Sequence, residues 1–438
     1  MRPLEGVRVL DFTRVLSGPH ATRMLCDLGA DVIKVEQPSG DLTRFSSPRI
    51  NSNATYFIQQ NVGKRNISLD LTKQEAVDLI TQLVDKCDVV IENFRPGVMK
   101  RMKLDEATLR AQNTKLIYAS ITGYGNTGPW VDRRAYAPVV NAEMGLTKRQ
   151  GDARGGEYAN DPFSHGDVYT AVECAAAILA ALYQREKTGT GQYIDLSMAQ
   201  TLLYVNEHAH DALWDQPVSP DSIRSFHPED YPVLTTRDGI TSVVSGHPAE
   251  RGTFDFFVAA MKAPHLLDDQ RFKSVETRLS NLPALKKLIE EWAKTISTVD
   301  ELEERLAKHK LAMGRLRSVS EVAQTDWAKQ RNAFVEVSDR GTGTVKLPNS
   351  PWIFSGSDTS THGVAKYRGE DNEEVLSELL GLSELQIKDL YQREILSQRM
   401  PNKNSERTYP YRPEWPNPPP RSSPSRCSTT SQEVETTC

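Results

Sequence analysis

Val7-Arg8-Val9-Leu10-Asp11-Phe12, a helical stretch His20–Leu28 closed by Gly29, and then Asp31-Val32-Ile33-Lys34-Val35-Glu36: this opening decides the fold. Two short runs rich in β-branched residues flank a segment of helical length and composition, and a glycine ends that segment. The unit then repeats. Asn66–Leu71 reads as a strand and Gln74–Lys86 as a helix, with Ala76, Leu79, Ile80, Leu83 and Val84 at helical spacing. Asp88–Glu92 and Leu116–Ile121 read as two more buried strands. Each helical crossover returns the chain to the same end of the sheet, so successive strands pair in parallel. The fold class is therefore α/β, with a doubly wound, Rossmann-like parallel sheet in a large domain.

Farther along, Gln192–Leu196 reads as a strand and Met198 to about Trp214 as a helix, which ends the large domain at 1–214. Residues 215–240 are Pro- and Asp-rich and read as a linker. Residues 241–370 read as a smaller α+β domain. Its strands fall near Thr241–Ser245, Ala333–Val337 and Gly343–Lys346, its helices near Thr253–Met261, Leu282–Ile296, Val299–Lys308 and Val319–Gln324. Asp371–Leu379 and Glu384–Gln392, within 371–399, read as C-terminal helices returning to the large domain. Residues 400–438 turn to Pro, Ser, Arg and Thr, as in Pro416-Asn417-Pro418-Pro419-Pro420. Such a composition buries too little apolar area to offset ordering entropy, so a disordered tail is expected.

The chain has 438 residues and a net charge of −5, so no global basic field points to nucleic acid. No apolar run approaches the ~18 residues of a membrane span. The first strand begins almost at the N-terminus and leaves no room for a targeting peptide, so a cytoplasmic protein is expected. Cysteines 26, 87, 174, 427 and 438 show neither paired nor metal-ligand spacing, which fits reduced thiols. The histidines are scattered, and no metal is expected. After the first strand comes Thr13-Arg14-Val15-Leu16-Ser17-Gly18-Pro19, which lacks the Gly-x-Gly-x-x-Gly of dinucleotide sites; no Gly-Lys-Ser/Thr phosphate loop occurs either.

Two features could carry chemistry. Pro162-Phe163-Ser164-His165-Gly166-Asp167-Val168 precedes a run of helix formers, Tyr169 to Leu182. Asp167 thus falls at or just before a helix start, where unpaired N–H groups and the macrodipole favour a carboxylate anion. Such an anion on a Gly-flanked turn can act as a nucleophile; equally, Asp is a preferred N-cap, and from this stretch alone capping is the simpler reading. The second feature is a set of cations assigned to rim loops: Arg44, Lys64-Arg65, Arg95 and Lys100-Arg101. Together they suit a phosphorylated ligand, although each singly reads as solvated surface charge.

Leu4-Glu5-Gly6-Val7-Arg8-Val9-Leu10-Asp11-Phe12 followed by Ser17-Gly18-Pro19 resembles the start of the class III CoA-transferases. This is the formyl-CoA transferase or CaiB-BaiF-like family, which also contains 2-methylacyl-CoA racemases. The likeness continues through Asp27–Glu36, Gly40-Asp41, Arg44, Asn61–Arg65, Glu92–Gly97, Gly123-Tyr124-Gly125, Gly166-Asp167 and Lys187–Gln192. It resumes at Gly369-Glu370, Val375-Leu376 and Leu380-Gly381-Leu382, spanning about residues 4–396. The resemblance implies a catalytic aspartate at Asp167 that is acylated by an acyl-CoA thioester, becomes an aspartyl-CoA thioester, and passes CoA to a free carboxylic acid. It implies CoA contacts at Val15, Leu16, Lys64, Arg65, Asn93, Phe94, Arg95, Arg101 and Met102, with Arg134 near a cofactor-contacting lysine. No permanently bound cofactor is implied; the CoA thioester is a substrate. An interlocked homodimer is expected on the same ground.

Departures from the family pattern bear on the substrate. Leu16 stands where formyl-CoA transferases carry glutamine, and Gln37 where they carry arginine. Ser245-Gly246-His247-Pro248 replaces their Gly-rich closing loop. These point away from formate and oxalate, while Arg134–Val140 resembles transferases acting on dicarboxylic acids such as succinyl-CoA, whose second carboxylate could meet Arg133, Arg134 or His165. A racemase would need a His and an Asp where this chain has Tyr136 and Ala137, and a tyrosine titrating near 10 is a poor proton shuttle. An inactive CoA-binding homologue is a third reading, opposed by the retained Gly166-Asp167.

Overall fold

A computed structural model describes residues 1–217 and 228–400; the tail and part of the expected linker lie outside the described residues. The large sheet has six strands: β1 (Arg8–Asp11), β2 (Asp31–Glu36), β3 (Arg65–Ser68), β4 (Val89–Glu92), β5 (Ile117–Thr122) and β6 (Tyr193–Ser197). Their order is β3-β2-β1-β4-β5-β6, and every pair is parallel. The expected α/β class is what the chain adopts. Alternate residues serve opposite faces: Leu10, Ile33 and Val90 pack with α2 (Gln74–Val84), while Val9, Val32 and Val89 pack with α1 (Ser17–Asp27) and α3 (His165–Thr188). Both faces are covered, which is why these strands read as continuous apolar runs rather than alternating ones.

Helix α1 starts at Ser17, three residues before the expected His20, because a proline (here Pro19) is tolerated in a helix's first turn. Helix α3 is 24 residues long and apolar enough to cross a bilayer by length and composition, contrary to the expectation that no such stretch occurs. It packs instead as a core helix, burying Ala171, Cys174, Ile178 and Ala181 against α1 and the sheet. The single helix expected over Met198 to Trp214 breaks into Met198–Tyr204 and Ala209–Leu213. Between them the Asn206 side chain accepts the His208 N–H at 3.1 Å, a local turn that competes with the helix.

The smaller unit holds β7 (Val233–Thr235), β8 (Thr241–Val244) and β9 (Met313–Arg315), antiparallel in the order β9-β8-β7. Helices Arg251–Met261, Leu282–Thr295 and Val299–Lys308 cover it through Phe254, Phe257, Leu285, Ile289, Leu302 and Leu306. The hairpin β10 (Phe334–Ser338) and β11 (Thr344–Pro348) packs Val337 and Leu347 on Phe57, Ile58 and Val62 of the first domain. Asn372–Leu380 and Glu384–Gln392 join the α2 face through Val375, Leu376, Ile387 and Leu390. The Asp371 carboxylate accepts the Asn66 N–H (2.7 Å) and Asn372 Oδ1 the Ser68 N–H (2.8 Å), so the edge of β3 is not left bare.

Candidate active site

The connection from β1 runs to β2 and that from β4 to β5 on the other side, so the strand order reverses between β1 and β4 and their carboxyl ends border a crevice. Two loops border it, Thr13–Leu16 after β1 and Asn93–Gly97 after β4. The Asn93 side chain ties them: its Oδ1 accepts the Arg14 N–H and its Nδ2 donates to the Arg14 carbonyl, both at 2.9 Å. Val15 sits in the left-handed region (φ 70°), a costly conformation for a β-branched residue. Its N–H faces the Asp41 carboxylate at 3.3 and 3.4 Å. Lys34 pairs with Asp41 at 3.2 Å and donates to the Thr13 carbonyl at 2.6 Å.

A second buried ion pair lies beneath the loop. Asp11 accepts from the Thr13 N–H (2.9 Å), the Thr22 hydroxyl (2.7 Å) and the Lys64 ammonium (3.2 Å). Burial would raise the Asp11 pKa, but Lys64, Lys34 and the two threonines hold it below the usual carboxylate range. Lys64 also donates to Pro19 O and Asn61 Oδ1, each at 2.9 Å, so all three of its protons have protein acceptors. Lys64, read above as a rim cation, is thus fully buried. Arg65 is turned toward the amino end of the sheet, where it bonds Asp31 (2.9 Å), the first residue of β2, and Glu378 (2.6 Å). The reasons differ: Arg65 begins β3 and points back to the start of β2, whereas Lys64 reaches the carboxyl end of β1 but donates its protons to Asp11, Pro19 and Asn61 beneath the loop.

Asp167 is the third residue of α3, half-buried; the residue before the helix, Ser164, makes no side-chain cap. Asp167 therefore does not act as an N-cap. Gly166 is helical rather than part of a turn, and its role is close approach. A Cβ there would lie 3.1 Å from Asn141 Oδ1 and 3.2 Å from Met198 Sδ. Burial pushes the Asp167 carboxyl up to about 6, against the expectation of an unopposed helix-end effect; the hydroxyl and N–H of Ser17, at the start of α1, pull it back down. Two helix N-termini thus meet at this carboxylate. Tyr56, for which the sequence carries no signal, is the nearby aromatic: burial first, then the charges of Asp167 and Asp41, push its hydroxyl up to about 12.

The loop after β4 presents Phe94, half-buried with the Arg14 guanidinium 5.3 Å from its ring, and Arg95, exposed. Phe94 N–H donates to Glu92 (2.7 Å), whose carboxyl is raised to about 7 by burial against the bonds from Ser120 and Phe94. Arg101 and Met102 border a cavity of about 650 Å³ together with Gln37, Ser39, Leu71 and Thr72. Leu71 ends the stretch read as a strand, and Thr72 follows it with no role assigned. Leu16 is buried and Val15 half-buried in the crevice loop. Arg134 is exposed, whereas Arg133 is held by Glu143 (3.1 Å) and lies 4.4 Å over Trp130. Tyr136 is exposed and Ala137 buried, so that position offers no acid–base pair.

A half-buried carboxylate on a helix start stands beside the strand-order reversal, the place where doubly wound α/β proteins bind ligands. Residues 4–372 match CoA-transferase family III, and the chain belongs to that family. It is 33% identical over 409 residues to the formyl-CoA:oxalate CoA-transferase of Streptomyces coelicolor, covering 88% of this chain and 97% of that one. It is 31% identical over 388 residues to the succinyl-CoA:mesaconate CoA-transferase of Haloarcula hispanica, covering 86% and 96%. A CaiB/BaiF family protein from Brucella suis superposes with a TM-score of 0.74 at 32% identity, covering 86% of this chain and 99% of that one. The chain is a CoA-transferase, and CoA thioesters are its substrates.

Proposed function

We propose that the protein moves CoA from an acyl-CoA to a free carboxylic acid through Asp167, and that the acid is dicarboxylic, of the succinate type. A carboxylate oxygen of Asp167 attacks the thioester carbonyl; the C–S bond breaks, leaving a mixed anhydride and CoA thiolate. The thiolate attacks the Asp167 carbonyl carbon and expels the first acid, giving an aspartyl-CoA thioester. The incoming carboxylate attacks that carbonyl, displaces the thiolate and re-forms an anhydride. Attack of the thiolate on the new acyl carbon releases the product and frees Asp167. The observation that carries this reading is the placement of Asp167: half-buried, poised near pH 6, with the Ser17 N–H and hydroxyl beside it as donors for developing oxyanion charge.

The CoA chain would run from the cavity at Arg101 and Met102, past Asn93, Phe94 and Arg95, to Val15 and Leu16, with Arg134 as an outlying phosphate contact. Lys64 acts on this site through Asp11 and Pro19 rather than on the ligand. The dicarboxylic preference is supported by the Arg134–Val140 segment and by the succinyl-CoA:mesaconate relative.

Incubation with succinyl-CoA, reductive trapping with borohydride and mass spectrometry are expected to place the adduct on Asp167. Because the attacking species is the anion, the trapping rate should fall about tenfold per pH unit below the pKa of about 6 and level off above it. Labelling at another residue, or a rate flat between pH 4 and 7, would remove Asp167 from the mechanism.

We infer a homodimer as well. Leu203 and Tyr204 at the end of the first helix after β6, and Leu213 and Trp214 at the end of the next, are large apolar side chains left exposed, suited to a second copy. Sedimentation should give twice the chain mass of 49.0 kDa; a monomer across the micromolar range would contradict it.

A further inference from the structure

Ser39, on the wall of the cavity at Arg101, also borders a second cavity of about 320 Å³. Four arginines line this one, Arg44, Arg49, Arg368 and Arg399, with Asn53 and Tyr367 among them; no carboxylate among the described residues does. The charge of Arg44 is met by Glu36, and its guanidinium stacks 3.7 Å over Phe57. The other three pair with no carboxylate among the described residues. Arg49 donates to the Ser52 carbonyl at 3.1 Å, and Arg399 lies 5.9 Å over the Phe45 ring. Arg368 has Nε and Nη1 sealed from solvent with no acceptor among the described residues. Burial lowers the hold of Arg368 on its proton; Glu36 opposes that, and Arg399 and Arg44 add to it.

Three like charges gathered in one concavity, with no carboxylate among the described residues on its wall, form an arrangement that an entering anion stabilises. Guanidinium forks match a tetrahedral oxyanion, and a doubly charged one answers three arginines better than a single carboxylate does. We propose that this cavity is a phosphate-group site, held by Arg368, Arg399 and Arg49. The group belongs either to the nucleotide end of a ligand seated in the adjoining cavity or to a separate phosphorylated small molecule. The site rests on no step of the acyl-transfer reading, and its readout is binding alone.

The test titrates inorganic phosphate, 5′-ADP and 3′,5′-ADP calorimetrically into the full-length protein and its Arg368→Met and Arg399→Met variants. Loss of a charged hydrogen-bond partner should weaken phosphate binding about tenfold or more in each variant. A loss on 3′,5′-ADP that 5′-ADP does not share supports the site and assigns the group to a nucleotide. A loss on inorganic phosphate alone supports the site and assigns a separate ligand. Arg399 is exposed, so its variant keeps the test open if Arg368→Met does not fold. Absence of binding by the unaltered protein, or titrations unchanged in the Arg399→Met variant, overturns the proposal.

Discussion

Replacing Asp167 by alanine is expected to slow exchange between a CoA thioester and a free acid by about 10⁴-fold or more, the scale seen when a covalent nucleophile is removed. The same variant should keep its fold. A capping aspartate would cost about 1 kcal/mol of stability on replacement, but Asp167 lies inside the first turn of α3 and makes no cap. At pH 7 it is ionised against the opposition of burial, which holds its pKa near 6, so its removal should leave the urea midpoint unchanged or slightly raised. Acyl-CoA affinity should stay within about threefold, since the carboxylate forms its bond in the reaction rather than in the ground state. A variant that exchanges normally, or one that loses activity only because it unfolds, would sink the assignment of the nucleophile.

The second large effect concerns stability. Lys64→Met should destabilise the protein by about 3–5 kcal/mol, because it leaves the Asp11 carboxylate buried without its nearest counter-charge. Deletion of one partner is the costly event, so Asp11→Asn combined with Lys64→Met should recover about 1–3 kcal/mol of the loss. Equilibrium unfolding in urea measures both. Activity should fall with Lys64→Met even under conditions where the variant is folded, since Lys64 also grips Pro19 and so fixes the start of α1 beside Asp167. If Lys64 instead contacted ligand phosphates directly, the loss would appear in CoA affinity and not in the urea midpoint.

The behaviour of Lys64 shows where sequence reasoning stops. Strands β1, β2 and β4 were legible because a strand buried on both faces must be apolar nearly throughout, and Val9-Leu10 and Val89-Val90-Ile91 are. A charged residue carries no such mark. Lys64 reads as a surface cation until the fold brings Asp11 to it from 53 positions away. Strands of three residues, Val233–Thr235 and Met313–Arg315, are too short for any periodicity to show. Of the candidate site, Asp167, Asn93 and Arg101 lie in motifs that mark them in the sequence. Ser17 stands in a motif without a role there, and Tyr56 in none, because both meet Asp167 only when separate helices come together in the folded chain.

The edge of β3 carries a further consequence. Its backbone partners are Asp371 and Asn372, with Ser397 donating to the Ser68 carbonyl at 3.0 Å, all about three hundred residues downstream. The flank of the large sheet is therefore sealed by residues that leave the ribosome about three hundred positions after β3. During synthesis the nascent sheet has a naked flank and an uncovered oily face for nearly the whole translation time, the interval in which a chaperone has something to hold.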